Sequence, residues 1–418
     1  MLGTNLAANP SEAVSLCKNS RLVKQLLRWS GIPVGKEESA GMGGIRLYRA
    51  TVYHHHVLSV ERKPSHSPWL LHPLPVETST APVPVHAEDP EVKVVTYLAV
   101  RSVYAVGLEC AHVTVAAHSP TRAKVLKVEP HFVEEDVLSR WDAQHAAKTE
   151  SADIMLGADP EFALRSLDGS MVLASDFLGK HGTVGCDSTR YREELGMHQW
   201  PLVELRPKPT QDPDELFLFL HRALQVARRK IASESIEWLA GGMPFDGYPI
   251  GGHIHFSGIA PAFPLLRKLD AYLALPLVLI EDEGCRKRRP RYGFLGDFRE
   301  KSYGGFEYRT LPSWLVTPTV TRGVLHLAKL VASHYRELSP QPFWKPSLVR
   351  AYYAGDKDRL RLLVRSMWQE LSRLPAYQLS RGPLDAFYGY VLSGATWPAH
   401  RDIREAWKLA PKRAIMDK

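Results

Sequence analysis

The sequence predicts an α+β protein, an antiparallel sheet with helices packed on it, preceded by a small β-rich N-terminal domain. Three observations carry the prediction. Between residues 154 and 320, short strand-like runs are separated by Asp-Gly and Gly-rich turns. Stretches with helical apolar spacing, such as DPDELFLFLHRALQVARRKIA at 212–232, interrupt those runs. Ahead of them lie segments dense in β-branched and aromatic residues.

Taken in order, SEAVSLCKNSRLVKQLLRWSGIPV (11–34) repeats apolar residues at helical spacing until Gly31 and Pro33 stop it. RLYRATVYHHHVLSV (46–60) and VVTYLAVRSVYAVGL (94–108) read as strands. His54, His55 and His56 are consecutive, so on a strand they alternate between faces and form no metal trio. The proline-dense segment 64–90 reads as a semi-extended linker or long loop. These pieces define an N-terminal domain over 1–150. FVEEDVLSRWDAQHAAK (132–148) has helical character and leads into a core over 151–320. That core includes a second helical stretch, PLLRKLDAYLALPLVLIEDE (264–283). From 321 to 418 the chain reads as helices packing on the core, among them 325–338 and 359–374.

With 418 residues and 44% hydrophobic content the chain can bury a large core. Its four cysteines, Cys17, Cys110, Cys186 and Cys285, have no paired spacing, which points to free thiols in a reducing cytoplasm. No basic start with an apolar core opens the chain, and no run approaches the ~18 apolar residues of a membrane span, so a membrane partner is not expected. The net charge of +8 is compatible with nucleic acid, an anionic surface or phosphorylated substrates, and decides nothing alone. The basic run RKRRPR at 286–291 reads by default as a solvated loop.

Chemistry concentrates in GGHIHFSG (251–258), where His253 and His255 share one strand face and Gly251 and Gly252 admit a close approach. Three other strand-like stretches are built alike: Asp159 with Glu161 in GADPEFAL, Glu204 with Arg206 in LVELRPKP, and Glu307 with Arg309 in FEYRTLPS. Burying a charge is costly unless it is paired or bound to metal, so four repetitions point to a site. Neighbouring strands would gather four carboxylates, two imidazoles and two guanidiniums on one surface. Asp159, Glu161, Glu204, Glu307 and His253 suit Mg²⁺ or Mn²⁺. Arg206, Arg309 and Arg299 suit phosphate oxygens.

The order GADPEF, VELRP, GGHIHFSG, YGFLGDFREKSYGG, FEYRTLPS resembles the glutamine synthetase and glutamate–cysteine ligase superfamily, most closely its amidoligase branch of phage and bacterial carboxylate–amine ligases. The likeness covers roughly 153–320. It implies a curved antiparallel sheet of the glutamine synthetase-like type, cupping divalent ions and ATP. It also implies metal ligation by Asp159, Glu161, Glu204, His253 and Glu307, with His255 touching phosphate or substrate and Arg309 stabilising the transferred phosphoryl group. Arg206, Arg299 and Lys301 join Arg309 as expected ATP-phosphate contacts, and the segment 286–301 is expected to close over ATP. Asp187 adds a carboxylate, at a longer spacing from Glu204 than in glutamine synthetase, and Asp159 stands where that enzyme has glutamate.

The expected activity is ATP-dependent amide formation through an acyl phosphate, on an amino-acid or peptide acid and an amine. Two alternatives stay open. A metal hydrolase would use His253 and His255 as zinc ligands, but needs further ligands on later strands. A nucleic-acid-binding protein on an inactive ligase fold fits the positive charge, but predicts loss of a key carboxylate; all four are present. Oligomeric state is left open.

Overall fold

The computed structural model describes residues 9–36, 45–63, 85–132, 154–187, 195–196, 198–340 and 344–409. It divides into two compact units, Met1–Ala147 with Pro342–Arg350, and Lys148–Gln341 with Ala351–Lys418. Of the expected linker over 64–90, residues 64–84 lie outside the described residues and Pro90 already begins a helix; the expected lead-in helix beyond residue 132 also lies outside them.

In the first unit, β1 (Arg46–Tyr53), β2 (His56–Lys63), β3 (Cys110–Ala117) and β4 (Ala123–Pro130) form an antiparallel sheet of order β2-β1-β3-β4. His54 and His55 make the two-residue turn between β1 and β2, with His54 at φ 50°, so the histidine run is a hairpin tip and not mid-strand. The segment 94–108, read as a strand, belongs instead to the helix Pro90–Ala105. Its residue types favour strands, but Val92, Val95, Leu98, Ala99 and Val103 recur at helical spacing and are all buried. Asp89 caps the helix by accepting from the Glu91 N–H, and Pro90 begins it. Each buried Val or Leu on that face is worth ~1.5–3 kcal/mol, more than the roughly 1 kcal/mol span of strand propensity.

The second unit is built on β5 (Met155–Ser166), β6 (Met171–Val172), β7 (Val184–Asp187), β8 (Leu202–Leu205), β9 (Ile236–Leu239), β10 (Gly252–Ser257), β11 (Phe298–Glu300) and β12 (Phe306–Tyr308). All pairings are antiparallel; the path is β11-β12-β10-β5-β8-β7, with β6 and β9 also pairing β5. One face is apolar: Leu156, Phe162, Val203, Ile254, Phe256, Phe306 and Tyr308 are fully buried. Phe256 stacks on Phe306 and Phe162 on Trp238, with ring centroids 5.1 and 4.8 Å apart.

The helices Pro213–Lys230 and Pro318–His334 start alike, on Asp212 and Thr317 caps followed by proline. The stretch expected as one helix over 264–283 runs from Phe263–Leu269 through a π turn at Asp270–Ala274 into Leu275–Ile280. Asp270 in that turn accepts a 2.7 Å hydrogen bond from the Tyr308 hydroxyl, tying the helix to β12. Beyond Pro318 the chain adds the helices Lys357–Leu371 and Arg381–Leu392. The four cysteines are free, and no described helix is long and apolar enough to cross a membrane.

Candidate functional site

Strand register assembles the site. Along β5, Gly157, Asp159 and Glu161 turn away from the apolar face, as do His253 and His255 on β10, Glu204 on β8 and Glu307 on β12. His253 lies opposite Asp159, His255 opposite Glu307, and Glu161 opposite Glu204. A cavity of about 500 Å³ is lined by most of these groups, together with Asp187, Arg206, Arg299, Lys301 and Arg309. His255 sits beside it, its Nε2 2.8 Å from Asp159 Oδ2 and its Nδ1 3.2 Å from the Tyr303 hydroxyl.

Two trios of metal-capable groups result. One ligand atom from each of Glu161, Asp187 and Glu204 lies within 4.8 Å of the other two, and the same holds for Asp159, His255 and Glu307. His253 contacts two members of the second trio, its Nδ1 3.3 Å from Asp159 and 3.2 Å from Glu307.

The trios differ electrostatically. Burial pushes the Glu161 carboxyl up to about 7, against the opposing pull of His253 and of the Gly251 N–H, which donates to it at 2.7 Å. Burial, reinforced by Asp159, Asp187 and Glu161, pushes Glu204 up to about 8 despite its ion pair with Arg206. In the second trio burial also opposes charge, but cations outweigh it. His253 and His255 hold Asp159 well below the ordinary carboxylate range, and His253, Lys301 and Arg309 hold Glu307 low. Lys301 lies 2.5 Å, Arg309 3.1 Å and Arg299 3.3 Å from Glu307. Burial of His253 is likewise outweighed by Asp159, Glu161 and Glu307, which raise its pKa.

The glycines are steric requirements. A Cβ on Gly251 would collide with the His253 ring, and one on Gly252 with Pro312 O and the Trp314 indole, whose Nε1 donates to Gly252 O at 2.8 Å. A Cβ on Gly185 would occupy the place of the Arg206 guanidinium, which also donates to Lys180 O at 2.9 Å.

All the residues singled out from sequence come together here, Asp187 included. Missed were Arg288, Tyr292 and Asp297, which line the same cavity. The basic run that holds Arg288 is not a solvated loop. Arg288 and Arg289 are buried; Arg289 pairs with Glu281 at 2.9 Å and stacks on Tyr352 at 4.6 Å. Asp282 caps the helix Glu283–Arg288 through the Gly284 N–H, and Cys285 and Arg288, three apart, form its buried face. That cap and spacing were the available signal. The segment expected to close over ATP is pinned at several points: the Tyr352 hydroxyl donates to Gly293 O at 2.9 Å and Arg309 N–H to Asp297 O at 2.8 Å.

The family profile described as "Phage phiEco32-like COOH.NH2 ligase-type 2" matches residues 156–409. No curated protein matches this chain. Among solved structures, a bifunctional glutathione synthetase from Pasteurella multocida is similar at 11% identity and TM-score 0.39 over 62% of this chain. The match spans about half, 52%, of that protein's length. A phosphoribosylglycinamide synthetase from Anaerococcus prevotii is similar at 9% identity and TM-score 0.22, over 55% of this chain and 75% of that one.

Proposed function

The chain belongs to the phage phiEco32-like COOH.NH2 ligase-type 2 family, and from that premise we propose that it spends ATP to join the carboxylate of an amino acid or peptide to an amine, in the cavity of its second unit. The observation that carries this reading is the pair of acid-containing trios on one sheet face, with cations gathered at one of them. The motif order further supports a glutamine synthetase-like sheet.

The residues fit divalent metal. Glu161 and Glu204 are buried carboxyls facing each other across paired strands, neither of which carries enough nearby positive charge to hold its pKa at the ordinary value. Glu161, Asp187 and Glu204 would hold one Mg²⁺ or Mn²⁺, and Asp159, His255 and Glu307 another. Bound there, the ions supply charge neutralisation for phosphate oxygens.

The side chains then divide the remaining work. Arg299, Lys301 and Arg309 give up part of their hold on Glu307 to bind phosphate oxygens as negative charge moves onto the leaving group. Arg206 orients Glu204. His253, charged between Asp159 and Glu307, keeps both carboxylates aimed into the cavity. The acid's carboxylate oxygen attacks the γ-phosphorus and ADP leaves; the amine then attacks the acyl carbon, releasing phosphate and a proton.

A panel of acids with hydroxylamine as the amine tests this. ATP-dependent hydroxamate formation, with one ¹⁸O from a labelled acid appearing in inorganic phosphate, is expected. Label in AMP would contradict the acyl phosphate, and product formed without ATP would contradict a ligase.

A further inference from the structure

Tyr303, Gly304 and Gly305 close the stretch YGFLGDFREKSYGG, in the turn that joins β11 to β12. Glu300 pairs with Phe306, the Lys301 N–H donates to Gly305 O at 2.9 Å and the Gly304 N–H to Lys301 O at 3.0 Å. Gly304 sits at φ 83°, and a Cβ on Gly305 would run into Phe256 O and the Tyr303 ring. The two glycines let that ring fold back over its own turn toward β10. There the Tyr303 hydroxyl lies 3.2 Å from His255 Nδ1, although the residue keeps 58% of its surface exposed.

The other nitrogen of that imidazole, Nε2, is 2.8 Å from Asp159 Oδ2. Facing a carboxylate, Nε2 carries the proton, and in the neutral ring this leaves Nδ1 bare to accept from the Tyr303 hydroxyl. Ligation of a cation through Nε2 reverses the arrangement: the proton must stand on Nδ1, which then donates to the Tyr303 oxygen. A hydroxyl serves in both directions, whereas a phenyl ring serves in neither.

We propose that Tyr303 positions His255 as a metal ligand of the second trio, receiving the Nδ1–H hydrogen bond when Nε2 turns to a divalent cation. This rests on the ligase reading, in which Asp159, His255 and Glu307 hold an ion. Lys301, on the same turn, pairs with Glu307, so one short turn touches two of the three ligands. Phosphates that draw Lys301 off Glu307 therefore act on the turn that steers His255.

The test follows Mn²⁺ binding to the whole chain by electron paramagnetic resonance, with and without a non-hydrolysable ATP analogue. Tyr303→Phe removes only the hydroxyl of an exposed residue, so it is expected to melt as wild type and to bind the first ion unchanged. Its second ion, taken up with the analogue, is expected to bind at least ~10-fold more weakly, the usual effect of losing the partner that orients a ligating histidine. Unchanged second-ion affinity would overturn the proposal, and so would equal weakening of both ions, which would make Tyr303 a general structural residue. If the phenylalanine variant does not fold, long-range ¹H–¹⁵N spectra of histidine-labelled wild type decide. The His255 signal, identified by its loss in His255→Gln, is expected to pass from the Nε2–H to the Nδ1–H form when Mg²⁺ and the analogue are added; a signal that keeps the Nε2–H form overturns the proposal. Failure of the ligase reading looks different and takes the proposal with it, since wild type would then acquire no second ion on addition of the analogue.

Discussion

In the trio of Glu161, Asp187 and Glu204, burial and mutual repulsion push two carboxyls up to about 7 and about 8, and the ion pair of Glu204 with Arg206 does not reverse this. In the trio of Asp159, His255 and Glu307, where burial also opposes charge, both acids are held below their ordinary values by the histidines and the cations around Glu307. The same sheet face thus carries one acid cluster that lacks positive charge and one already supplied with it. The lesson concerns order of filling. On the proposed reading the first trio would gain most from a bare cation, whereas the second would exchange its own cations for a metal only when phosphates arrive to receive them.

Isosteric changes should break this comparison most forcefully. Glu161→Gln or Glu204→Gln is expected to lower turnover about 1,000-fold by weakening a metal site, yet to leave the metal-free protein as stable as wild type or more so near pH 8. Glu307→Gln should lose turnover too, but destabilise by about 3 kcal/mol, because it strands buried His253 and three cations. Melting curves beside rates separate the cases, and equal stability losses for all the variants would erase the distinction between trios.

Arg309→Lys should cost about 100-fold in turnover with little change in melting, since a point charge still neutralises Glu307 but cannot span two phosphoryl oxygens. A variant that melts early while keeping its specific activity would make Arg309 a structural partner of Glu307.

The smallest effect is on pH. Glu161 and Glu204 have folded pKa values above the ordinary 4.5, so the stability they confer is fully present below that value and lost as pH rises through about 7 and about 8. Asp159 and Glu307 are depressed, so theirs is present above the ordinary range and lost only as pH falls below it. Metal-free protein should therefore lose a few degrees of Tm between about pH 6 and about pH 8.5, and Mg²⁺ should restore more of it at the higher pH. Glu204→Gln should flatten the slope.

Much of this was legible in the sequence because a strand's two-residue period is rigid: an acid-x-acid or His-x-His run fixes which side chains share a face. The register that sets Glu161 opposite Glu204 and His255 opposite Glu307 was not legible, because strand pairing is chosen by tertiary packing. Neither was the helix Pro90–Ala105, where β-branched residue types hid a helical spacing opened by Asp89 and Pro90. Arg288 was hidden by its neighbours, since a run of basic residues reads as solvated even when a short capped helix turns one of them inward.

Mn²⁺ binding measured by electron paramagnetic resonance, with and without a non-hydrolysable ATP analogue, tests the two-trio account most directly. Wild type is expected to bind one ion tightly without nucleotide and a second only with it. Glu204→Gln should lose the first ion, and Glu307→Gln only the second. Two ions bound equally well without nucleotide, or first-ion binding unchanged in Glu204→Gln, would contradict the account.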